Sequence, residues 1–214
     1  MLAAFAVTMP AVAADTTIVP FLIGGVALEL PTPAGYCVPT GQEAAVAQLV
    51  AAADNVNVTD LTLVRCGADA QAALEDYSII KTPTRSLLAT VSRDELLAAL
   101  SAEFDKPEFK EFLSKQVMPS TEKQYRDLGA EITMSGSPRP LGRDDVCAYM
   151  GGEITPADKS GKTYPTLMGG CITAVGGKVI SVFRYVVPGK GKDVGALLRE
   201  ARALALQVRT APAK

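Results

Sequence analysis

Four cysteines, two in each half of the chain, constrain the fold more than any other feature: Cys37, Cys66, Cys147 and Cys171. No two of them form a close C-x-x-C pair, so neither a four-cysteine zinc site nor a thioredoxin-like redox motif is indicated. In an oxidising compartment an even set with this spacing predicts two disulfide bonds. The N-terminus therefore decides how the cysteines are interpreted.

The first residues have the composition of an export signal. The stretch MLAAFAVTMPAVAA is apolar or small apart from Thr8, and it is shorter than the roughly 20 residues that cross a bilayer. Small side chains at Ala11 and Ala13, or at Val12 and Ala14, permit signal-peptidase cleavage after Ala13 or Ala14. No lysine or arginine precedes the apolar core, which a start codon assigned too far downstream would explain.

We therefore expect residues 1–14 to be a signal peptide and residues 15–214 to form a single mature domain in the periplasm. A buried N-terminal helix or strand is one alternative. An uncleaved anchor to the inner membrane is another, but it would have to carry Asp15 and Pro20 without a positive flank. We expect no stable membrane span in the mature form.

Two disulfides among four cysteines allow three connectivities, and the sequence alone does not choose among them. We favour Cys37–Cys66 and Cys147–Cys171, because each pair encloses a compact segment that begins and ends in strand-like sequence. Loops of this size would each stabilise the fold by about 3–4 kcal/mol in the chain-entropy model.

The chain contains no histidine. This absence removes the commonest general base and zinc ligand, and with them any Ser-His-Asp or Cys-His mechanism. Residues are 48% hydrophobic and 21% charged, which is enough to bury a sizeable core. The net charge is −2 without a dense basic patch, so no nucleic-acid partner is indicated. We predict no metal or cofactor.

The clearest local pattern is LMGGCITAVGGKVISVFRYVV. Gly176-Gly177 between two β-rich runs predicts a two-residue hairpin, because both central residues of a type I′ turn have positive φ. In that register Gly170 lies opposite Phe183, whose ring would cover the gap. Both faces of the hairpin are fairly apolar, which favours central strands.

Apolar residues at helical spacing predict several amphipathic helices. Ser92 and Glu95 form a capping box at the start of SRDELLAALSAEF. A second helix follows in PEFKEFLSKQVM, and Pro119 should end or kink it. Further helices are predicted over residues 41–54 and 192–208.

Alternating residues predict strands over residues 25–31, 58–66 and 144–154. Residues 77–91 have the pattern of two strand segments around Pro83, and SPRPLGR, residues 137–143, is predicted to be a loop and a possible subdomain boundary. Strands and helices do not alternate regularly. The sequence therefore predicts an α+β fold, with a mostly antiparallel sheet packed against amphipathic helices in a two-layer, disulfide-braced sandwich.

Three short motifs imitate functional sites. Tyr77 and Lys81 have the Tyr-x-x-x-Lys spacing of short-chain dehydrogenases, but no G-x-G-x-x-G accompanies them and their context is a strand. SGKT, Ser160 to Thr163, lacks the glycine that a phosphate-binding loop needs, since Pro156 occupies that position, so we expect a surface turn. Asn57 begins a glycosylation sequon of a kind that chance often produces.

The carboxylates do not indicate a functional site more strongly than these motifs do. Asp144 and Asp145 could bind a cation or act as a pair, but neighbours on a strand point to opposite faces, which favours solvated charges. Glu29 and Glu153 could meet in a cleft, although nothing in their spacing requires it. We therefore assign no catalytic residue.

The segment LELPTPAGYC, a later strand ending in Cys66, and the hairpin-plus-helix tail resemble a group of uncharacterised exported proteins of Gram-negative bacteria that share an LPxPxGYC segment. The order of elements is also similar to that of PsbP-like domains, in which an antiparallel sheet packs against helices. The resemblance implies a fold and a compartment, and no function follows from it.

These observations favour a non-enzymatic periplasmic protein: a binding, accessory or envelope-maintenance module whose partner is an envelope protein or a small ligand. A hydrolase or lyase that uses carboxylates or a Ser/Lys pair would not need histidine, and a convergent cleft would indicate it. A peripheral membrane or lipid-binding protein is the third hypothesis, and an apolar cavity between sheet and helices would support it.

Overall fold

A computed structural model describes residues 17–212, apart from the side chains of Lys110 and Ser114. The signal peptide predicted for residues 1–14 lies outside the described residues. The strands are β1 (Ile18–Ile23), β2 (Val26–Pro31), β3 (Tyr36–Cys37), β4 (Asn57–Arg65), β5 (Asp76–Pro83), β6 (Ile132–Gly136), β7 (Arg139–Arg143), β8 (Ala148–Asp158), β9 (Thr166–Val175), β10 (Lys178–Val186) and β11 (Arg209–Thr210). The α-helices are α1 (Gly41–Ala52), α2 (Arg93–Phe104), α3 (Pro107–Phe112), α4 (Met118–Asp127) and α5 (Val194–Gln207).

Most strands form one antiparallel sheet of eight strands, in the order β3-β4-β5-β10-β9-β8-β6, with β7 beside β6 on the free side of β8. The predicted hairpin is confirmed: Gly176 and Gly177 connect β9 to β10 with φ values of 58° and 78°. Its predicted register is also confirmed, since Gly170 pairs with Phe183. The hairpin lies inside the sheet, between β5 and β8.

A second antiparallel sheet contains β1, β2 and β11. Its first two strands form a hairpin around Gly24 and Gly25, which have φ values of 51° and 82°. The sequence predicted the second of these strands but only an interrupted apolar stretch for β1. Pro20, which suggested the interruption, is accommodated in an edge strand, where a missing N–H breaks no ladder.

Apolar side chains pack on both faces of the large sheet. On one face the main cluster joins strand residues such as Ile80 to the small sheet and to α5. On the other face Ile79, Met168 and Tyr185 form a smaller cluster that contacts Val50 of α1. Ile79 and Ile80 are neighbours on β5 and point to opposite faces. The α+β class and the mostly antiparallel sheet are therefore confirmed.

Helix starts agree with the sequence. The capping box is confirmed, because Ser92 Oγ accepts from the backbone N–H of Glu95 and the Glu95 carboxylate accepts from the N–H of Ser92. The helix predicted for PEFKEFLSKQVM, residues 107–118, is divided: α3 passes into a π-helical turn at Leu113–Val117, and α4 then begins. Pro119 lies in the first turn of α4, where its missing N–H is tolerated.

Two local predictions are wrong. Residues 139–143, predicted as a loop, form β7 and pair with β8 despite a register shift between Pro140 and Arg143. Only one strand forms around Pro83, because β5 ends there and Thr84–Ser86 form a 3₁₀ turn. The ammonium group of Lys178 donates to the carbonyls of Leu87 and Ala89 and so holds the following segment against the hairpin instead.

Both favoured disulfides are confirmed, Cys37–Cys66 and Cys147–Cys171. Within residues 17–212, no helix combines the length and the apolar character needed to cross a bilayer.

Candidate functional site

The structure separates the residues of the apparent dehydrogenase motif. Tyr77 stacks on Tyr185, with ring centroids 4.7 Å apart, and removal of its phenol from water raises the pKa of Tyr77 well above its usual value. The ammonium of Lys81 forms an ion pair with Asp54 at 2.7 Å. Tyr77 is thus used in packing against β10, and Lys81 in an ion pair with Asp54, which lies between α1 and β4.

The SGKT segment forms a turn between β8 and β9. The carboxylate of Asp158 accepts hydrogen bonds from the backbone N–H groups of Ser160 and Lys162 and from the hydroxyl of Ser160. Asn57 likewise uses its side-chain amide locally, donating to the carboxylate of Asp54.

Asp144 and Asp145 do not point to opposite faces, because they precede β8 in a turn and both contact Arg202, at 2.7 Å and 3.3 Å. Asp144 also accepts from the backbone N–H groups of Val146 and Cys147. Partial burial would raise the pKa of Asp144, but the hydrogen bond from the hydroxyl of Tyr149 at 2.7 Å, together with these backbone donors and Arg202, outweighs burial and holds the pKa well below its usual value. The pair therefore anchors the start of β8 to α5.

Glu29 and Glu153 lie in different sheets and have different partners. Glu29 on β2 forms an ion pair with Arg209 at 2.7 Å, and Glu153 on β8 accepts from the hydroxyl of Thr155 at 3.4 Å. Within the described part of the chain, no group of three or more potential metal-ligating side chains comes together.

The most extensive polar network surrounds Arg184, which is only 3% exposed on the central strand β10. Its guanidinium donates to the carboxylate of Glu200 at 3.0 Å, to the hydroxyl of Ser78 at 2.7 Å and to the hydroxyl of Tyr36 at 2.5 Å. It also donates to the carboxylate of Asp76. A buried guanidinium is tolerated only when its donors are satisfied in this way.

Tyr36 lies between two cations. The guanidinium carbons of Arg65 and Arg184 are 4.4 Å and 4.7 Å from its ring centroid, within the range of cation–π attraction. Its hydroxyl donates to Asp76 at 2.8 Å. Burial, offset in part by Arg184 and reinforced by Asp76, raises the pKa of Tyr36 to about 12.

Asp76 receives further positive charge from Arg65 at 2.9 Å and Lys192 at 3.9 Å. Burial alone would raise the pKa of Asp76, but the hydrogen bond from Tyr36 and the charge of Arg184 lower it below its usual value. The carboxylate thus stays ionised and acts as the centre of an internal ion cluster. We call this set the Arg184 cluster; its members are Tyr36, Arg65, Asp76, Ser78, Arg184, Lys192 and Glu200.

The Cys37–Cys66 disulfide is attached directly to this cluster. Tyr36 precedes Cys37 and pairs with Arg65, which precedes Cys66. The backbone N–H of Cys66 also donates to the carbonyl of Gly35 at 3.0 Å. The disulfide therefore fixes the two-residue strand that brings Tyr36 to Arg184.

The described residues also form a groove of about 470 Å³, open to solvent, between the end of α2, the start of α3 and β7. Phe104, Pro107 and Pro140 provide its apolar surface, and Arg143 and Asp105 provide exposed charges. We call it the α2–β7 groove; it is lined by Ser101, Phe104, Asp105, Lys106, Pro107, Pro140, Gly142 and Arg143.

The sequence did not predict either the groove or the cluster. The groove depends on β7, and this strand was predicted to be a loop because its segment contains proline and glycine. Arg184 gave one usable signal, since a single charge within the apolar run VISVFRYVV requires a partner. Its partners could not be identified, because they lie on separate elements.

No family model matches the sequence, and none of the curated proteins is similar enough to match. Among solved structures, the chain is similar to the solution structure of cyanobacterial PsbP (CyanoP) from Synechocystis sp. PCC 6803. The match has a TM-score of 0.42 and 11% identity and covers 95% of this chain and 98% of the other. A similarity of this size carries no function to this chain.

Proposed function

We propose that this protein is exported to the periplasm, where it serves as a non-enzymatic binding or accessory module that holds a segment of an envelope protein in the α2–β7 groove. The groove carries the proposal. Its volume of about 470 Å³ lies within the range of binding sites, and its openness to solvent suits a segment of a partner better than an enclosed small molecule.

Export is supported by the two disulfides, because such bonds form and persist in oxidising compartments. The apolar N-terminal stretch with its A-x-A site supports the same conclusion.

A non-enzymatic role is supported by how the ionised groups are used. Asp76 and Arg184 neutralise each other within the sheet, and Asp144 is bonded to Arg202. A catalytic carboxylate or phenol would have to face substrate, whereas these groups face one another.

The lining of the groove indicates the chemistry of its occupant. Phe104, Pro107 and Pro140 would contact apolar side chains, and Arg143 would pair with a carboxylate at the rim. We therefore expect an extended segment that combines apolar and acidic residues.

Compartment and processing are tested by fractionating cells that produce the full chain and measuring the mass of the protein recovered. We expect periplasmic protein that lacks residues 1–13 or 1–14 and contains two disulfides. Full-length cytoplasmic protein with four thiols would reject the proposal.

Groove binding is tested in cells by a photo-crosslinking residue at Asp105, compared with one at exposed Thr84 outside the groove. We expect one envelope protein to be captured from position 105, and the adduct to disappear in R143E but to persist in the matched surface variant R85E. Equal capture from position 84, or an adduct insensitive to R143E, would contradict groove binding.

A further inference from the structure

The two disulfides differ in access to solvent. Cys147 and Cys171 are fully buried in the main core, whereas Cys37 and Cys66 are both exposed. Reduction begins when an attacking thiolate reaches one of the sulfur atoms. A reductant can therefore reach Cys37–Cys66 in the folded protein, while Cys147–Cys171 becomes reachable only when the core opens.

One end of the exposed disulfide, Cys37, lies in a segment with little buried surface, residues 32–53, that runs from β2 towards β4, and the other end, Cys66, directly follows β4. This segment, which we call the strap, contains only the two residues of β3 and the helix α1. None of the helical residues of α1 is buried. At its far end the strap is fixed by the buried cap residue Ala53 and by the neighbouring ion pair between Asp54 and Lys81.

The strap covers apolar surface on the sheet. Val46 and Val50 of α1 face a narrow crevice whose opposite wall includes Val64 and Ile79. Between the end of β2 and this crevice, the Cys37–Cys66 bond attaches the strap to the sheet covalently. Its polar attachments there are the short backbone pairing of β3 with β4 and the hydrogen bonds of the Tyr36 hydroxyl.

We propose that Cys37–Cys66 is a redox switch whose reduction by a dithiol releases the strap from the sheet while Cys147–Cys171 stays oxidised. One thiolate of the reductant attacks a sulfur of the pair, which forms a mixed disulfide and releases the other cysteine. The second thiolate then attacks the reductant's own sulfur in the mixed disulfide and releases the remaining cysteine. The S–S bond accepts two electrons and two protons and becomes two thiols, and the dithiol closes to its own disulfide. The reductant belongs to the class of C-x-x-C thiol oxidoreductases; dithiothreitol is the probe.

The first test is selective reduction of the native protein. The mature protein is incubated with graded dithiothreitol, and free thiols are alkylated and located by mass spectrometry. We expect Cys37 and Cys66 to be labelled at least about tenfold faster than Cys147 and Cys171, because only the latter pair requires opening of the core. Equal rates for the two pairs, or faster reduction of the buried pair, would overturn the proposal.

The second test measures what reduction releases. Hydrogen exchange is compared between the oxidised protein, the selectively reduced protein and C37S/C66S. We expect exchange in residues 32–53 to accelerate by about tenfold or more, as expected for loss of one cross-link, with β9 and β10 unchanged. Unchanged exchange in the strap would show that Tyr36 holds it without the disulfide. Faster exchange throughout the protein would show that the disulfide stabilises the whole fold and not the strap in particular. Either result would refute the switch.

A further variant separates the bond from the polar contacts. Tyr36→Phe retains the disulfide but removes the hydroxyl that bonds Asp76 and Arg184. We expect its strap to exchange like that of the oxidised wild type within about threefold, and its selectively reduced form to exchange faster than reduced wild type. If hydrogen exchange in the strap of oxidised Y36F were as fast as in C37S/C66S, the Tyr36 hydroxyl would be what holds the strap on the sheet. The proposal that the disulfide controls the strap would then be rejected.

Discussion

The ring of Phe183 occupies the space in front of Gly170. The two residues pair across β9 and β10, and a Cβ built on Gly170 would lie 2.2 Å from Cε1 of the ring. A side chain at position 170 therefore requires the ring to move. The residue next to this glycine is Cys171, so the same contact lies beside the buried disulfide.

We predict that Gly170→Ala destabilises the protein by about 1–3 kcal/mol, the usual cost of forcing extra volume into a packed site. The free energy of unfolding from urea denaturation measures this directly. Gly195→Ala is the matched control, because the nearest atom to its added Cβ is 3.4 Å away. It should be neutral or stabilise α5 by up to about 1 kcal/mol.

A double-mutant cycle identifies the ring as the cause. Phe183→Ala removes the obstacle, so adding Gly170→Ala to it should cost less than the same change in the wild type. Additive effects of the two substitutions would show that the strain arises from another neighbour.

This glycine–phenylalanine pair was predictable because a two-residue turn determines the register of every residue along both strands. The capping box at Ser92 was predictable for a similar reason, since both of its partners lie within one helical turn. Local geometry is sufficient in both cases.

Features that depend on distant contacts were not predictable. Arg184 bonds Tyr36, Ser78 and Glu200, which lie 148, 106 and 16 residues away along the chain. No pattern within a sequence window contains such a set. The prediction for Asp144 was wrong for a different reason: backbone N–H groups close a turn at its carboxylate, so the alternation of a strand does not apply there.

Asp60 should make stability depend on pH near neutrality. Burial raises the pKa of Asp60 to about 6, although a hydrogen bond from the hydroxyl of Thr82 at 2.7 Å partly opposes this. Between its unfolded value of 3.8 and about 6, the folded state binds the proton more tightly than the unfolded state does. The stabilisation that comes from this tighter proton binding at Asp60 is complete below pH 3.8 and is lost as the pH rises through 6.

We therefore predict that Asp60→Asn stabilises the protein at pH 8 by about 1 kcal/mol, a value reduced for the partial exposure of the carboxylate. The advantage over wild type should shrink towards pH 4. Melting curves of both proteins across this pH range measure their difference in stability. The contributions of other titrating groups are the same in both proteins and cancel from this difference. A difference independent of pH would contradict the assigned pKa of Asp60.

Asp144 should show the opposite dependence. Its pKa is lowered, so its contribution is present above the unfolded value of 3.8 and is lost as the pH falls below that value. We predict that Asp144→Asn costs about 1 kcal/mol at pH 7, a modest figure because the side chain is 34% exposed. The cost should decline in acid.

The neighbouring carboxylate supplies the control for that measurement. Asp145 contacts the same Arg202 but is 85% exposed. Asp145→Asn should therefore change the free energy of unfolding by no more than about 0.5 kcal/mol, both at pH 7 and in acid. Equal costs for the two substitutions would show that net charge near Arg202 matters and that the turn at Asp144 does not.

Arg184 should be the charged residue whose replacement costs most. Arg184→Met leaves the carboxylate of Asp76 and the hydroxyl of Ser78 without their buried donor, so we predict a loss of about 3–5 kcal/mol. Arg184→Lys keeps the charge but cannot reach three directions at once, so it should still cost about 2 kcal/mol. Arg209→Met removes an ion pair whose guanidinium side chain is 58% exposed and should cost less than about 1 kcal/mol. Urea unfolding of the three variants orders them, and wild-type stability of Arg184→Lys would show that charge alone is sufficient at the centre of the cluster.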